Sequence, residues 1–312
     1  MRSHLVVFIL PFIATATPAA AQSDVPNQAL VALRNEMQAL NRVGWKVLRA
    51  AGDTCPAQAA GIGLTIDFAG AYGSAMADSL KQTWAMGDLP QVAAVAPDSP
   101  AATAGIAVGD EILAVNGTST PAMIKASADP SLFADQLEEY LARQAPGQPI
   151  SIMLRRSKNE RIVPLTPVSV CASRFVYKLA AQVDAYTDST TRNVGVTSGL
   201  IAFARTDDQL ALIVAHELGH VIRRDPKGGG WNKVRAMEDR ADTVGAALIR
   251  CAGYDIRAGA EFFLDYHRRD LLRWFRSPSH RNMKDRAVRV LATPETACPL
   301  DATGLAALEK AR

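Results

Sequence analysis

Residues 210–225 read LALIVAHELGHVIRRD. Apolar residues fill this run so densely that a helix built from it is buried on most sides. His216 and His220 stand four apart, so on a helix they share one face about a turn apart. Glu217 follows the first of them. A buried helix needs partners for two imidazoles and a carboxylate, because unpaired burial of such groups is costly. A metal ion gripped by both histidines supplies that reason, with Glu217 placed to take a proton from water. Five letters alone still leave open a helix that happens to carry two histidines.

The sequence downstream favours the metal. Asp207-Asp208 predicts the start of a helix over 207–224, Asp225-Pro226 its end, and residues 227–230 (Lys-Gly-Gly-Gly) a loop. A second helix begins near Asn232 and carries MEDRAD at 237–242. Catalytic zinc takes three protein ligands and keeps one position open. Glu238, 18 residues after His220, completes a His-His-Glu set. Asp242, one turn further, is placed to accept the free N–H of a ligating histidine. Taken alone, EDRAD reads equally well as a solvated, charged helix face. After an apolar HELGH helix and a Gly-rich turn, the metal reading prevails.

The ends and the cysteines bound the compartment. Arg2, an apolar run over 5–13 and Ala19-Ala20-Ala21 form a secretory signal over residues 1–21. It is too short to span a membrane. Its removal leaves 312 − 21 = 291 residues, room for two modest domains. No later stretch has 18 uninterrupted apolar residues, so no integral membrane segment is expected after cleavage. A net charge of +3 gives no argument for a nucleic-acid partner. Cys55, Cys171, Cys251 and Cys298 are an even set in an exported chain, which favours disulfides, with three connectivities open.

Along the chain, apolar residues at three- and four-residue spacing predict a helix over 27–51. From Cys55 to about Pro167 short β-like runs dominate. QVAAVAPDSPAATAGIAVGDEILAVNG (91–117) gives a strand at 92–96, a Pro-Asp-Ser-Pro turn, a short helix at 101–104, and a strand at 111–115 closed by Asn116-Gly117. A helix follows over 131–144, then two strands at 148–156 and 160–168. SAMADSLKQTWAM (74–86) is helix-like. Residues 174–183 read as helical, and 193–203 as an edge strand and its exit.

The stretch SPAATAGIAVGDEILAVNG resembles a PDZ domain, over about residues 59–168. The resemblance implies that Gly61, Ile62, Gly63 and Leu64 form the loop that cradles a ligand's C-terminal carboxylate on backbone N–H groups. DDQLALIVAHELGHV followed by EDRAD resembles zinc metallopeptidase family forty-eight, the relatives of CAAX prenyl protease, HtpX and BepA. The implied ligands of one Zn²⁺ per chain are His216, His220 and Glu238, with Glu217 as catalytic base and Asp242 behind a ligand. The family's Ser/Thr-x-His segment with an Arg six residues on is matched by His280 and Arg286 in SPSHRNMKDRA, with Arg281 where the family has Pro. The implied role of His280 is contact with the reacting oxyanion or the metal. TSGLI (197–201) resembles the family's strand exit, beside which a substrate strand adds; VDAY (183–186) has Asp184 where relatives have Asn.

The implied fold class is α+β: a mainly helical gluzincin-type peptidase domain with a small sheet, plus a β-rich PDZ-like domain. The expected order is a signal peptide (1–21), the first peptidase helix (22–58), the PDZ-like domain (59–168) and the rest of the peptidase domain (169–312). Cys55 and Cys171 then flank an insertion whose ends lie close, and Cys251 and Cys298 share the C-terminal helical part. This favours Cys55–Cys171 and Cys251–Cys298. His267 sits in a basic amphipathic stretch and receives no chemical role. The expected activity is periplasmic, zinc-dependent cleavage of protein or peptide substrates, with the PDZ-like domain recruiting them or gating the cleft. The alternative is a zinc-binding adaptor or chaperone that holds clients and rarely cuts; an intact Glu217 argues against it.

Overall fold

The computed structural model describes residues 24–269 and 281–310. The leader assigned to 1–21 and the candidate His280 lie outside them.

Asp24–Ala50 is one helix, α1. Its buried apolar residues serve three separate clusters. Leu40, Val43 and Val47 enter the larger core of the molecule, Leu30 packs against Leu80 and Met86, and Trp45 packs against Ala96 and Val170. One helix thus braces two bodies, each with its own apolar interior.

The first body runs through β1 (Gln58–Gly61), β2 (Leu64–Asp67), α2 (Ala77–Trp84), β3 (Gln91–Val95), α3 (Pro100–Thr103), β4 (Glu111–Val115) and β5 (Thr118–Ser119). It continues through α4 (Thr120–Ala126), α5 (Phe133–Ala142), β6 (Ile150–Arg156), β7 (Asn159–Leu165) and β8 (Val168–Cys171). Its main sheet has the order β2-β3-β4-β6-β7, antiparallel throughout, with β5 on β4. Ile66, Val92, Ile112, Ile152 and Leu154 close over Phe133 and Leu137 of α5. The turn chemistry explains the 99–110 stretch. Ser99 caps α3 by accepting the Ala102 N–H, with Pro100 in the first turn. Buried Asp110 accepts the Ala107 N–H and is gripped by Arg156.

The long run between β2 and β3 holds α1 in place. Arg34 lies 4.0 Å from the Trp84 ring centroid and donates to Asp67, which also accepts the Tyr72 hydroxyl. The two ends of the body are zipped together: β1 and β8 pair antiparallel, with Gln58 opposite Cys171, and a disulfide joins Cys55 to Cys171.

The second body contains β9 (Phe175–Lys178), β10 (Ala185–Thr187), β11 (Val194–Thr197), α6 (Ser198–Phe203), α7 (Asp207–Arg223), α8 (Trp231–Cys251), α9 (Ile256–Arg269), α10 (Met283–Leu291) and α11 (Ala302–Lys310). Two expectations are corrected. Residues 175–178, read as helical, form a strand: Phe-Val-Tyr suits a pleated, half-buried surface, and β9 pairs in parallel with β11, nineteen residues on. β11 is not an edge strand. The sheet order is β10-β11-β9, so β11 is covered on both sides and β10 forms the edge beside α7.

Leu212 and Leu218 of α7, Leu248 of α8 and Phe263 of α9 are almost completely buried, each contributing about 1.5–3 kcal/mol. Two glycines set how closely α7 and α8 approach. A Cβ on Gly245 would stand 2.9 Å from the His216 backbone nitrogen, and one on Gly219 would stand 3.1 Å from the Ala241 Cα. A second disulfide joins Cys251, at the end of α8, to Cys298. Among the described residues no helix is long and apolar enough to cross a membrane.

Candidate functional site

The site begins at the cap of α7. Thr206 accepts the Gln209 N–H as N-cap, and the Gln209 side chain accepts the N–H of Arg205 just before it, which fixes where the helix starts. Arg42 of α1 holds Asp207 in the first turn through two bonds of 2.7 and 2.8 Å. Two turns on, His216 and His220 bring their Nε2 atoms to 3.3 Å of each other. Glu238 of α8 faces both, with Oε2 3.3 Å from His216 Nε2 and Oε1 3.6 Å from His220 Nε2. Ligands about 2.1 Å from a tetrahedral zinc stand about 3.4 Å from one another. The three donors therefore have the spacing that such an ion requires.

Each imidazole is oriented from behind. His216 Nδ1 lies 2.9 Å from Asp242 Oδ1, and His220 Nδ1 lies 2.9 Å from Asp225 Oδ2. A carboxylate on Nδ1 fixes the proton there and turns the Nε2 lone pair toward the centre. Arg286 of α10 donates to both oxygens of Asp242, at 2.9 and 2.6 Å. Burial alone raises the Asp242 carboxyl, but the Arg286 charge and the His216 bond outweigh it and hold Asp242 well below the usual range. As a free imidazole, His216 is disfavoured as a cation by burial; its bonds to Asp242 and Glu238 reverse this and lift it to about 9.

Residues 164–227 match peptidase family M48, and residues 91–131 match a PDZ domain. The chain combines an M48 peptidase domain with a PDZ domain. No curated protein matches it. Among solved structures, a likeness is found to "HtrA-type protease AlgW with decapeptide", at 24% identity over 36% of this chain and 30% of that one, TM-score 0.26. Another is to the serine endoprotease from Yersinia pestis, at 32% identity over 26% of this chain and 25% of that one, TM-score 0.21. The chain spans less than a third of either structure, and neither likeness carries an argument here.

The M48 site includes residues that the sequence did not single out. Asp225 reads there only as a helix stop. Arg224 takes a left-handed conformation and ends α7, and the Asp225 N–H donates back to the His220 carbonyl. That fold-back carries the Asp225 side chain to His220, where Arg240 also holds it at 3.0 Å. Thr187, at the end of β10, places its hydroxyl 3.0 Å from both the carbonyl and Oε2 of Glu217. Arg281 makes a two-bond pair with Asp239 of α8, at 2.7 and 2.9 Å. A cleft of about 500 Å³ runs over His216, Glu217, His220 and Glu238, bordered by β10 and by Tyr266 and Met283.

In the PDZ domain, residues 61–64 line a cavity of about 360 Å³. Gly44 and Trp45 of α1, Leu141 of α5, and Arg174 and Phe175 from the start of the M48 sheet line the same cavity. The loop therefore lies where the PDZ domain, α1 and the peptidase body meet.

Proposed function

We propose that this chain is an exported, zinc-dependent endopeptidase of the periplasm that hydrolyses peptide bonds of envelope proteins, in quality control or regulated proteolysis. Its PDZ domain recruits substrates or gates the cleft. The observation that carries this reading is the triangle of His216, His220 and Glu238, at 3.3, 3.3 and 3.6 Å, beside Glu217. The leader-like residues 1–21 and the two disulfides support export.

These three side chains hold one Zn²⁺. Bound zinc supplies Lewis acidity, acidifying water and polarising a carbonyl. Glu217 is the base: Thr187 occupies Oε2, which leaves Oε1 to take the proton of water and pass it to the departing amine. Asp242 and Asp225 hold the two imidazoles by Nδ1 and fix their direction, so that Nε2 of each faces the site. Among the described residues β10 pairs on one side only, with β11, so its other edge receives the substrate as an added strand along the cleft. His280, by resemblance, touches the oxyanion or the metal.

Purified protein should cleave unfolded casein, lose that activity with 1,10-phenanthroline and regain it with added zinc. A chain that binds zinc and clients but leaves casein intact would instead be the adaptor.

A further inference from the structure

β2 is the terminal strand of the PDZ sheet, with β3 on one side. A peptide adding to its free edge needs outward N–H groups to receive its carbonyls. The Ile66 N–H is already taken: it donates to Oε1 of Glu138, on α5, at 2.7 Å. Oε2 of the same carboxylate accepts Arg174 Nε at 3.1 Å and Nη2 at 2.7 Å. Arg174 is further fastened to α5 by Asp135, through its carboxylate at 2.7 Å and its carbonyl at 3.1 Å. A planar guanidinium forked across two carboxylates is a strong, oriented clamp.

Arg174 belongs to the other body. It directly precedes β9, and its carbonyl accepts the Val194 N–H of β11 at 2.8 Å. Val194 stands opposite Thr187 of β10, whose hydroxyl holds Glu217. A bonded path thus runs from the ligand strand of the PDZ domain to the base of the peptidase. Asn41 of α1 adds a second tie on the same strand, donating to the Thr65 hydroxyl at 2.9 Å.

We infer that Glu138 is an internal plug of the PDZ ligand strand, latched by Arg174, and that a peptide long enough to reach Ile66 must lift Glu138 and free the Arg174 segment. Groove occupancy is thereby felt at Thr187 and Glu217. This rests on the reading of the chain as a peptidase with a ligand-binding PDZ domain. Its two-state element is the Glu138 carboxylate, on or off the Ile66 N–H.

The test is hydrogen exchange on the full chain, without substrate, in Glu138→Ala and Arg174→Ala. Amides over 64–67 should exchange about tenfold faster in both variants, while β6 and β7 keep their protection as an internal control of folding. Glu138→Gln, which keeps an acceptor for Ile66 but loses the ion pair, should fall between. In Arg174→Ala, amides over 185–197 should also speed up. Unchanged exchange at 64–67, or equal acceleration over the whole PDZ sheet, overturns the plug. Acceleration at 64–67 with none at 185–197 overturns the connection to Glu217. Because no catalysis is measured, a chain that cuts nothing would refute the peptidase reading without moving this result.

Discussion

Asp225 Oδ2 lies 2.9 Å from His220 Nδ1, so the second histidine of HELGH has its own carboxylate, just as Asp242 serves the first. The two carboxylates differ in setting. Asp242 is almost fully buried beside Arg286, whereas Asp225 sits nearer the surface with Arg240.

That contrast separates two effects. Asp225→Ala should weaken zinc binding about 10–100-fold through loss of orientation at His220. Folding stability of the metal-stripped chain should change little. Asp242→Ala should weaken zinc binding and also destabilise the stripped chain by about 3–5 kcal/mol, because Arg286 is left buried without its partner. Chelator competition and urea unfolding measure the two. Equal urea midpoints for both variants would refute the distinction.

Much of this site was readable because its parts are local. The four-residue spacing of His216 and His220, and EDRAD on the next helix, need only helical geometry. Ser99, Gly105, Asp110 and Asn116-Gly117 announce their turns by residue type. The rest depends on chain reversal or distant pairing. Asp225 reaches His220 only because Arg224 turns left-handed. Residues 175–178 read as helical because Leu179-Ala180-Ala181 follow and mimic a helical face, whereas the partner of β9 is the distant Val194–Thr197. Without β9 as a strand, β11 reads as an edge, and no local signal points to β10 or Thr187. Glu138 and Arg174 are 36 residues apart and on different bodies, so nothing local relates them.

Metal affinity should depend on pH through His216. Zinc replaces the proton of an imidazole lifted to about 9, so between that value and neutrality affinity should fall about tenfold per unit of acidification. The metal-stripped chain should follow the same groups. The raised His216 contributes stability that is complete below the ordinary imidazole value and lost as pH rises through about 9. The depressed Asp242 contributes stability present above the ordinary carboxylate value and lost as pH falls. Urea midpoints of stripped protein should therefore decline on both sides of neutrality. A flat profile from neutral pH to pH 10 would contradict the pairing at His216.

Gly245→Ala tests the close approach of α7 and α8. The added Cβ, 2.9 Å from the His216 nitrogen, must push the helices apart and draw Glu238 from the histidines. Overpacking of this kind costs about 1–3 kcal/mol, and zinc affinity should fall with it. Titration against a chromophoric chelator reads the affinity; a value equal to the parent's would show that the contact is not limiting.

The central claim is that His216, His220 and Glu238 hold one zinc ion while Glu217 serves as base without being a ligand. The most direct measurement is zinc content and casein cleavage on a single preparation of Glu217→Gln. The account predicts one zinc per chain, as in the parent, with hydrolysis abolished. Cleavage near the parent rate would contradict the assignment of the base, and loss of the zinc would mean that Glu217 is itself a ligand.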